Sequence, residues 1–392
     1  MNSELVARAA ARLTWVRSRM TLLADVRAHL AATQPFAGHR IGMSLHLEPK
    51  TAVLLETLAA GGAEIVATGN HGSTQDDVVA FLREQGMTIF GARDDTLDQH
   101  HANVAAVIAA EPDILLDNGA DLVAGVVAAG RADQIVGGTE ETTSGGYRLR
   151  AEMAGQVPFP VVVINDSPLK AIGENKHAVG QSVVESFMRI TNLMVPGRRF
   201  VVAGYGWCGR GVAHYLRALG GKVAVVEVDE IKAFEAALDG YRVANMLDLA
   251  EWGEVFITAT GHPQILGTDF FAVVADGAML VNCGHFPWEI DIPALRELAT
   301  DSTVIDTAIE RIDLPGGRHV TLLADGRMMN LAGREPKGNS IESMDLGFLL
   351  QVLSLERVAI ATRTLEPGAQ PVPDTINREI ARRMLAAMKA DL

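Results

Sequence analysis

Apolar runs of three to six residues alternate with longer stretches of helical periodicity through the first half of the chain. Each run is short enough for a strand buried on both faces, and the segment between two runs is long enough for a helix. Strands connected in this way form parallel βαβ units, so the pattern predicts an α/β fold. The predicted strands are Ile41–Leu45, Ala63–Thr68, Met87–Phe90, Asp113–Leu116, Gln134–Val136 and Val161–Ile164.

The same alternation resumes after a break near the middle of the chain. Ser182 to Val195 has the periodicity of one helix and ends at Pro196–Gly197, a pair that terminates helices. A second set of apolar runs follows, and we therefore predict two doubly wound parallel-sheet domains. The predicted strands of the second domain are Phe200–Ala203, Lys222–Val226, Val255–Thr258, Met279–Val281 and Thr303–Ile305.

This division predicts a first domain made of two separate segments and a second domain made of one. The first covers residues 1–181 and is completed by about 334–365, where Met344 to Leu355 has helical periodicity. A hinge helix is expected at 182–197, the second domain at 198–333 and a C-terminal extension at 366–392.

Open parallel sheets bind ligands at the carboxyl ends of their strands. Polar residues stand at such ends at His46, Asp117, Asn165, Thr260 and Asn282.

Composition narrows the classes of partner. The 392 residues are 48% hydrophobic, enough for two cores of ordinary size. A formal charge of −14 would repel nucleic-acid phosphates and anionic membrane surfaces. No apolar run approaches the roughly 20 residues of a membrane-spanning helix. From the charge and the lengths of the apolar runs, we expect no nucleic-acid or membrane partner. Because Cys208 and Cys283 are the only cysteines, we expect a cytoplasmic protein with no disulfide framework.

The stretch "VVAGYGWCGRGVAHYLRALGGKVAVVEVD" has the order strand, glycine-rich turn, helix, strand. Gly204, Gly206 and Gly209 match G-x-G-x-x-G, whose glycines permit a tight turn, a close approach of pyrophosphate and close helix packing. Glu227 ends the second strand, where a carboxylate accepts hydrogen bonds from ribose hydroxyls and repels a 2′-phosphate. The pattern predicts NAD rather than NADP as the cofactor, although Lys232 lies nearby in sequence.

Histidines give no sign of a metal site. The chain has 11 of them, and none is spaced as H-x-x-x-H. We therefore expect no catalytic metal and assign structural roles to His71, His100, His101, His177 and His262.

Seven stretches, in order along nearly the whole chain, resemble the S-adenosyl-L-homocysteine hydrolase family, and the glycine loop is similar to its shorter bacterial and archaeal branch. The resemblance implies a substrate-binding first domain, an NAD-binding Rossmann second domain and a homotetramer. The stretches are "LHLEPKTAVLLETL", "STQDD", "EETTSG", "INDSPLK", "GYGWCGRG", "NCGHFPWEID" and "LLADGRMMNL".

The resemblance also implies a reaction without net redox. NAD stays bound while the 3′-hydroxyl of an adenine nucleoside becomes a ketone, the C4′ proton is removed and the 5′ substituent leaves. Water then adds and the ketone is reduced again. The chemistry is reasonable because a C–H beside a ketone can be deprotonated by a side chain near neutral pH, whereas one beside ether carbons cannot.

Residue roles carry over from the matching stretches. Lys170 and Glu174 would lie by the 3′-hydroxyl, with Lys170 moving its proton or that of C4′. Glu141 would hold the ribose hydroxyls, His46 would act as acid or base near the 5′ position, and His285 would bridge cofactor and substrate.

The resemblance likewise implies the binding residues. Those for the substrate are Glu48, Lys50, Ser73 and Gln75, of which Glu48 and Lys50 would lie at the adenine edge. Thr142, Thr143, Ser144 and Asn175 would reach the nicotinamide half of NAD, and Asn330 would bridge cofactor and substrate. Besides the three loop glycines, Glu227 and Lys232, the remaining cofactor residues are Trp207, Cys208, Thr258, Ala259, Thr260, Cys283 and Gly284.

Several departures from the family pattern concern the substrate rather than NAD. Asn118 replaces a second acid that is associated with proton transfer at the 5′ position, and an amide cannot titrate. Glu48 and Lys50 stand where a threonine and an acid or amide are usual, and Glu174 is one methylene longer than the usual aspartate. "GHFPW" replaces "GHFDV", and the loop from Gly333 to Ser343 lacks the usual histidine.

Three hypotheses follow. Departures clustered around the leaving group and the base suggest a nucleoside dehydratase that releases an unsaturated adenine nucleoside. The alternative is a true S-adenosyl-L-homocysteine hydrolase that forms adenosine and homocysteine. The third is an inactive NAD-binding relative with a regulatory role, which the retained Lys170, Glu141, His46 and His285 oppose.

Overall fold

The computed structural model describes residues 2–284, 287–333, 335–361 and 364–389. It divides into two compact units, Met1–Ala171 with Ile341–Leu392, and Ile172–Ser340. The first division therefore falls ten residues before the boundary expected at 181, and residues 366–389 belong to the first unit rather than to a separate extension. His285 lies outside the described residues.

Fifteen strands are present among the described residues. They are β1 Arg40–Ser44, β2 Glu64–Thr68, β3 Thr88–Phe90, β4 Ile114–Asp117, β5 Gly137–Glu140, β6 Pro160–Val163, β7 Arg199–Ala203, β8 Lys222–Val226, β9 Arg242–Val243, β10 Val255–Thr258, β11 Ala278–Asn282, β12 Asp301–Asp306, β13 Ile309–Asp313, β14 His319–Leu323 and β15 Gly368–Pro371.

Sixteen α-helices are described, together with a π-helical segment at Lys170–Ala178. The helices are α1 Asn2–Arg19, α2 Thr21–Thr33, α3 Pro49–Ala60, α4 Asp76–Glu84, α5 Leu97–Ala109, α6 Asp121–Ala128, α7 Thr143–Ala151, α8 Val179–Thr191, α9 Trp207–Ala218, α10 Glu230–Leu238, α11 Met246–Leu249, α12 Thr268–Val273, α13 Ile292–Leu298, α14 Met329–Ala332, α15 Ile341–Ala361 and α16 Asp374–Ala387. Within the described residues, every helix is too short or too polar to span a bilayer.

The first unit is built on a seven-stranded parallel sheet in the order β15-β6-β5-β4-β1-β2-β3. Alternate residues of its strands enter two separate cores. Ile114 and Leu116 pack in the core on one face, and Leu115 packs in the core on the other. This is the burial that a doubly wound sheet requires, with apolar side chains on both faces of each central strand.

The second unit contains an eight-stranded sheet in the order β12-β13-β14-β11-β10-β7-β8-β9. The strands from β14 to β9 are parallel, whereas β12 and β13 form an antiparallel edge. The prediction of two doubly wound, mainly parallel sheets is confirmed. The predicted strand at Thr303–Ile305 exists, but it lies in this antiparallel edge.

Two local predictions differ from the structure. The strand predicted at Gln134–Val136 lies instead at Gly137–Glu140, because close packing there selects glycines that strand propensity disfavours. A Cβ on Gly138 would lie 2.5 Å from the carbonyl oxygen of Leu115. The hinge helix expected at 182–197 is α8, which ends at Thr191 and belongs to the second unit. A Cβ on Gly180 would lie 2.6 Å from the carbonyl carbon of Gly211 in α9, so these two helices are in close backbone contact.

Candidate functional site

A buried ion pair lies at the carboxyl end of the first sheet. Glu141 directly follows β5, and Lys170 begins the π-helical segment that comes after β6. The two residues are 7% and 4% exposed, and Nζ of Lys170 donates to Oε1 of Glu141. The other carboxylate oxygen accepts a hydrogen bond from Nε2 of Gln351. Charge-assisted bonds of this kind fix both side chains, and Nζ is a group that can hold or transfer a proton.

His46 and the predicted substrate-binding residues follow β1 and β2. Nδ1 of His46 lies 2.7 Å from Oγ of Ser73, which also donates to the carbonyl of Asn70 at 3.1 Å. With the serine hydrogen on Asn70, Nδ1 carries a hydrogen and Nε2 is the basic nitrogen. Glu48 and Lys50 form a 2.8 Å ion pair, and both are buried.

Gln75 and Ser73 differ in their surroundings, although both are buried. Oε1 of Gln75 accepts a hydrogen bond of 2.6 Å from Arg12 in α1. The acceptor of this amide is therefore engaged by the protein itself. Gln75 anchors α1 in the structure, and its predicted role toward substrate stays a prediction.

Asn118 follows β4 and is 3% exposed. Its Oδ1 has no hydrogen-bond partner in the part of the chain that the structure describes. Burial, together with the nearby charge of Glu140, raises the pKa of the neighbouring Asp117 to about 8. Burial also raises the pKa of Glu140. Glu140 accepts backbone hydrogen bonds from Gly119 and Ala120 at 3.0 and 2.9 Å, so it holds the loop that presents Asn118.

The "EETTSG" stretch forms the end of β5 and the start of α7. Thr142 caps α7 by accepting a hydrogen bond of 2.9 Å from the amide of Gly145. Its hydroxyl donates to Glu140 at 2.6 Å and lies 3.1 Å from Oγ of Ser144. Thr143 is exposed. Thr142 and Ser144 therefore share one network in the first unit.

The glycine loop of the second unit has the backbone that a dinucleotide needs. Gly204 has a φ of +95°, a backbone angle that residues with a side chain rarely adopt, and it lies against the carbonyl of Ala259. A Cβ on Gly209 would collide with the carbonyl oxygen of Gly204, whereas a Cβ on Gly206 would meet no atom within 4 Å. The first and third glycines are thus fixed by packing, and the second faces open space where pyrophosphate can approach the backbone.

The other residues of the predicted cofactor set include three around this loop. Glu227, at the end of β8, accepts backbone hydrogen bonds from Tyr205 at 2.7 Å and from Val228 at 2.8 Å. Trp207 and Cys208 begin α9 beside the loop, and Trp207 is 42% exposed. Lys232 points back to its own helix cap, with Nζ 3.4 Å from Asp229.

Thr258, Ala259, Thr260, Cys283 and Gly284 lie at the ends of the adjacent strands β10 and β11. Glu289, which is fully buried, accepts hydrogen bonds of 2.8 Å from the amide and the hydroxyl of Thr260. Thr258 donates to the side chain of Asn282 at 3.1 Å. Burial raises the pKa of the Cys283 thiol well above its usual value, so this cysteine is a packed neutral group rather than a nucleophile.

Glu174 and Asn330 meet in a second network of the same unit. Nδ2 of Asn330 donates to Ser182 at 2.9 Å, and Ser182 donates to Asn339 at 3.1 Å. Asn339 in turn lies 3.4 Å from Oε1 of Glu174. Among the described residues, Oδ1 of Asn330 is buried without a hydrogen-bond partner, which suits an acceptor for the amide of a bound nicotinamide. Asn175 lies next to Glu174 on the π-helical segment.

The structure thus groups the predicted residues into sets within each unit. The sequence prediction missed several buried residues that hold them. Glu140 lies in the stretch "EETTSG" and Glu289 lies in "NCGHFPWEID", so the family motifs could have indicated both residues. Asp117 was noted only as a strand end. Ser182, Asn339 and Gln351 are distant in sequence from the groups that they contact, and no local pattern singles them out.

Comparisons with known proteins identify the family of the chain. Residues 7–133 match the family model "S-adenosyl-L-homocysteine hydrolase" and residues 175–335 match its "NAD binding domain". The S-inosyl-L-homocysteine hydrolase of Methanopyrus kandleri is 42% identical over 97% of this chain and 90% of its own length. The adenosylhomocysteinase of Archaeoglobus fulgidus is 41% identical over 97% of this chain and 94% of its own.

Among solved structures, a dipicolinate synthase chain from Bacillus halodurans matches with a TM-score of 0.50 over 83% of this chain and 99% of its own, at 12% identity. That likeness concerns the fold alone. The family models cover both units, and the relatives align over nearly the whole chain, so NAD is the cofactor of the second unit. The chain belongs to the S-adenosyl-L-homocysteine hydrolase family.

Proposed function

We propose that the chain is an NAD-dependent hydrolase that cleaves an S-nucleosyl-L-homocysteine into a purine nucleoside and L-homocysteine. The observation that carries the proposal is the buried pair of Lys170 and Glu141 at the carboxyl end of the first sheet. The names of relatives that are 41% and 42% identical, which are hydrolases of adenosyl- and inosyl-homocysteine, support the same reaction.

Each residue has a proposed task. NAD, when bound, supplies the oxidant for the 3′-hydroxyl of the ribose. Lys170, in its neutral amine form, takes a proton at Nζ from that hydroxyl or from C4′, and Glu141 orients both Lys170 and the ribose. Glu174 acts beside the 3′-hydroxyl. His46, whose ring is oriented by Ser73, exchanges a proton through Nε2 near the 5′ position.

The site favours a thiolate leaving group over hydroxide. A thiol has a pKa near 8.5 and water has one of about 15.7, so a departing hydroxide needs much stronger acid assistance. Asn118 cannot supply a proton, and its buried Oδ1 can only accept a hydrogen bond. This argument and the hydrolase names of the relatives favour the hydrolase over the dehydratase that the sequence departures had suggested.

The buried pair of Glu48 and Lys50 is proposed to bind the edge of the purine. The carboxylate of Glu48 offers acceptor oxygens and the ammonium group of Lys50 offers donors, with Nζ of Lys50 2.8 Å from Oε2 of Glu48. Adenine presents an N6 donor beside the N1 acceptor, and hypoxanthine presents an O6 acceptor beside an N1 donor. Either edge can therefore be paired, and we propose a purine nucleoside without choosing between adenosyl and inosyl substrates.

The test is an assay of the purified protein with S-adenosyl-L-homocysteine, S-inosyl-L-homocysteine and adenosine. We expect homocysteine from one or both thioethers and no product that is lighter than adenosine by one water. A dehydrated nucleoside without homocysteine release would refute the proposal in favour of the dehydratase. No conversion of any substrate by NAD-loaded protein would favour an inactive relative.

A lysine substitution separates catalysis from folding. Lys170→Ala should lower the rate of NADH formation on the bound cofactor by about 100- to 10,000-fold, because it removes the base. Lys222→Ala, on an exposed lysine at the start of β8, is the control and should leave that rate unchanged. Equal rates in the two variants would remove Lys170 from the mechanism. A homotetramer in the cytoplasm remains part of the proposal, and light scattering measures the oligomeric state.

A further inference from the structure

Gln351 makes the second contact of the Glu141 carboxylate. It lies in α15, is fully buried, and donates from Nε2 to Oε2 of Glu141. Lys170 donates to the other oxygen, Oε1. Because an ionised carboxylate can only accept hydrogen bonds, the amide nitrogen of Gln351 must face Glu141 and its oxygen must face away. The carboxylate is thus held between a cation and a neutral donor.

The packing of α15 on β5 places Gln351 at this point. A Cβ on Gly137, at the start of β5, would lie 2.8 Å from Cγ1 of Val358, so α15 contacts the strand there. Two turns earlier on the helix is Gln351, and four residues later on the strand is Glu141. The helix therefore runs antiparallel to β5 and brings Gln351 to the carboxyl end of the strand, 210 positions away from Glu141 in sequence.

We propose that Gln351 is a positioning residue that fixes the carboxylate of Glu141 for its contact with Lys170. The inference rests on the proposed function. Without the donor, Oε2 of Glu141 is a buried charged atom that lacks its neutral partner, and the carboxylate turns toward Lys170. A hydrogen bond to a charged group is worth about 10- to 100-fold in rate when it is needed in the transition state.

The first test compares Gln351→Met with wild-type enzyme loaded with NAD. Methionine has a similar volume and no donor. We expect NADH formation in the first turnover to slow by about 10- to 100-fold, together with a lower melting temperature, because Oε2 of Glu141 stays buried without its donor. Leu350→Met, at the neighbouring and fully buried position, introduces the same side chain and should leave the rate unchanged. A Gln351→Met rate within about twofold of wild type would overturn the proposal.

The second test uses Gln351→Glu, which keeps the shape and makes the donor titratable. The new carboxyl donates to Glu141 only while it is protonated, and burial beside a like charge raises its pKa. The other titratable groups at this strand end are Lys170, Glu140 and Asp117. Both proteins keep the base Lys170, so the ratio of the variant rate of NADH formation to the wild-type rate is the informative quantity. This ratio should be near one at low pH and fall as the pH rises, because the new carboxyl loses its donor on ionisation.

The two variants together keep the inference separate from the proposed function. If wild-type enzyme releases homocysteine and the ratio of the Gln351→Glu rate to the wild-type rate does not change with pH, Gln351 is structural only and the proposal is wrong. If Gln351→Met does not fold, the Gln351→Glu profile decides alone. If wild-type enzyme itself forms neither NADH nor homocysteine, the proposed function fails, and that result is visible before any variant is compared.

Discussion

Asp345 lets the effect of a buried acid on stability be measured. It lies in α15, is 4% exposed, and accepts hydrogen bonds from the amides of Leu22 and Leu23 at 3.0 and 2.8 Å. These amides belong to the first turn of α2, which has no side-chain cap of its own. The pKa of Asp345 is raised from 3.8 to about 6. Burial is the main cause, the two amides oppose it, and the charges of Asp25 and Glu342 add to it.

Burial favours the protonated form of Asp345 in the folded state, and this sets the direction in which the free energy of unfolding changes with pH. The contribution of this group to stability is fully present below about pH 3.8 and is lost as the pH rises through about 6. A shift of about 2 units corresponds to about 3 kcal/mol. Asp345→Asn does not titrate, so its free energy of unfolding relative to wild type should rise by about 3 kcal/mol between pH 4 and pH 7. A constant cost of about 1 kcal/mol is expected because the amide is a poorer partner for two N–H groups.

The assay is urea unfolding of wild type and variant at a series of pH values, with the free energies subtracted at each pH. Subtraction removes the titration of all other groups that the two proteins share. Asp98→Asn, on an exposed acid in the first turn of α5, is the matched control and should show no such slope. A difference between Asp345→Asn and wild type that stays flat from about pH 4 to pH 7, or that falls, would refute the reasoning.

Three further predictions concern the site. Gly209→Ala should weaken NAD binding by at least about 10-fold, measured by titration, because its Cβ collides with the loop carbonyl; Gly267→Ala, whose nearest atom would be 3.6 Å away, should not. Ser182→Ala should slow NADH formation by about 10-fold and lower the melting temperature, since Asn330 loses its 2.9 Å partner; an unchanged rate would mean that this network is only structural. Burial raises the pKa of Asp117 to about 8, so stability is lost as the pH rises through that value, and Asp117→Asn should gain melting temperature over wild type from about pH 7 to pH 9. A parallel loss in both proteins would contradict it.

Several residues that depart from the family pattern contact one another or other site residues in the structure. Glu48 and Lys50 differ from the usual residues together, and they form one buried ion pair. The loop after Asn330 lacks the expected histidine, yet its Asn339 connects Ser182 with Glu174. Substitutions that look like loss of function along the sequence are therefore compatible with a connected site. This connectivity is a physical reason for disfavouring the inactive relative among the three hypotheses.

Periodicity, the glycine loop and the ordered motifs were enough to predict the two mainly parallel sheets, the NAD-binding unit and the family. These features are local, since a strand, a tight turn and a helix start each depend on neighbouring residues. The strand at Gly137–Glu140 was missed because it begins with glycines, which have low strand propensity. Close contacts with Leu115 and with α15 leave no room for a side chain at these positions. The same limit applies to Gln351 and Ser182. Their partners lie 210 and 148 positions away, and only the packing of a helix on a strand or a loop brings such pairs together.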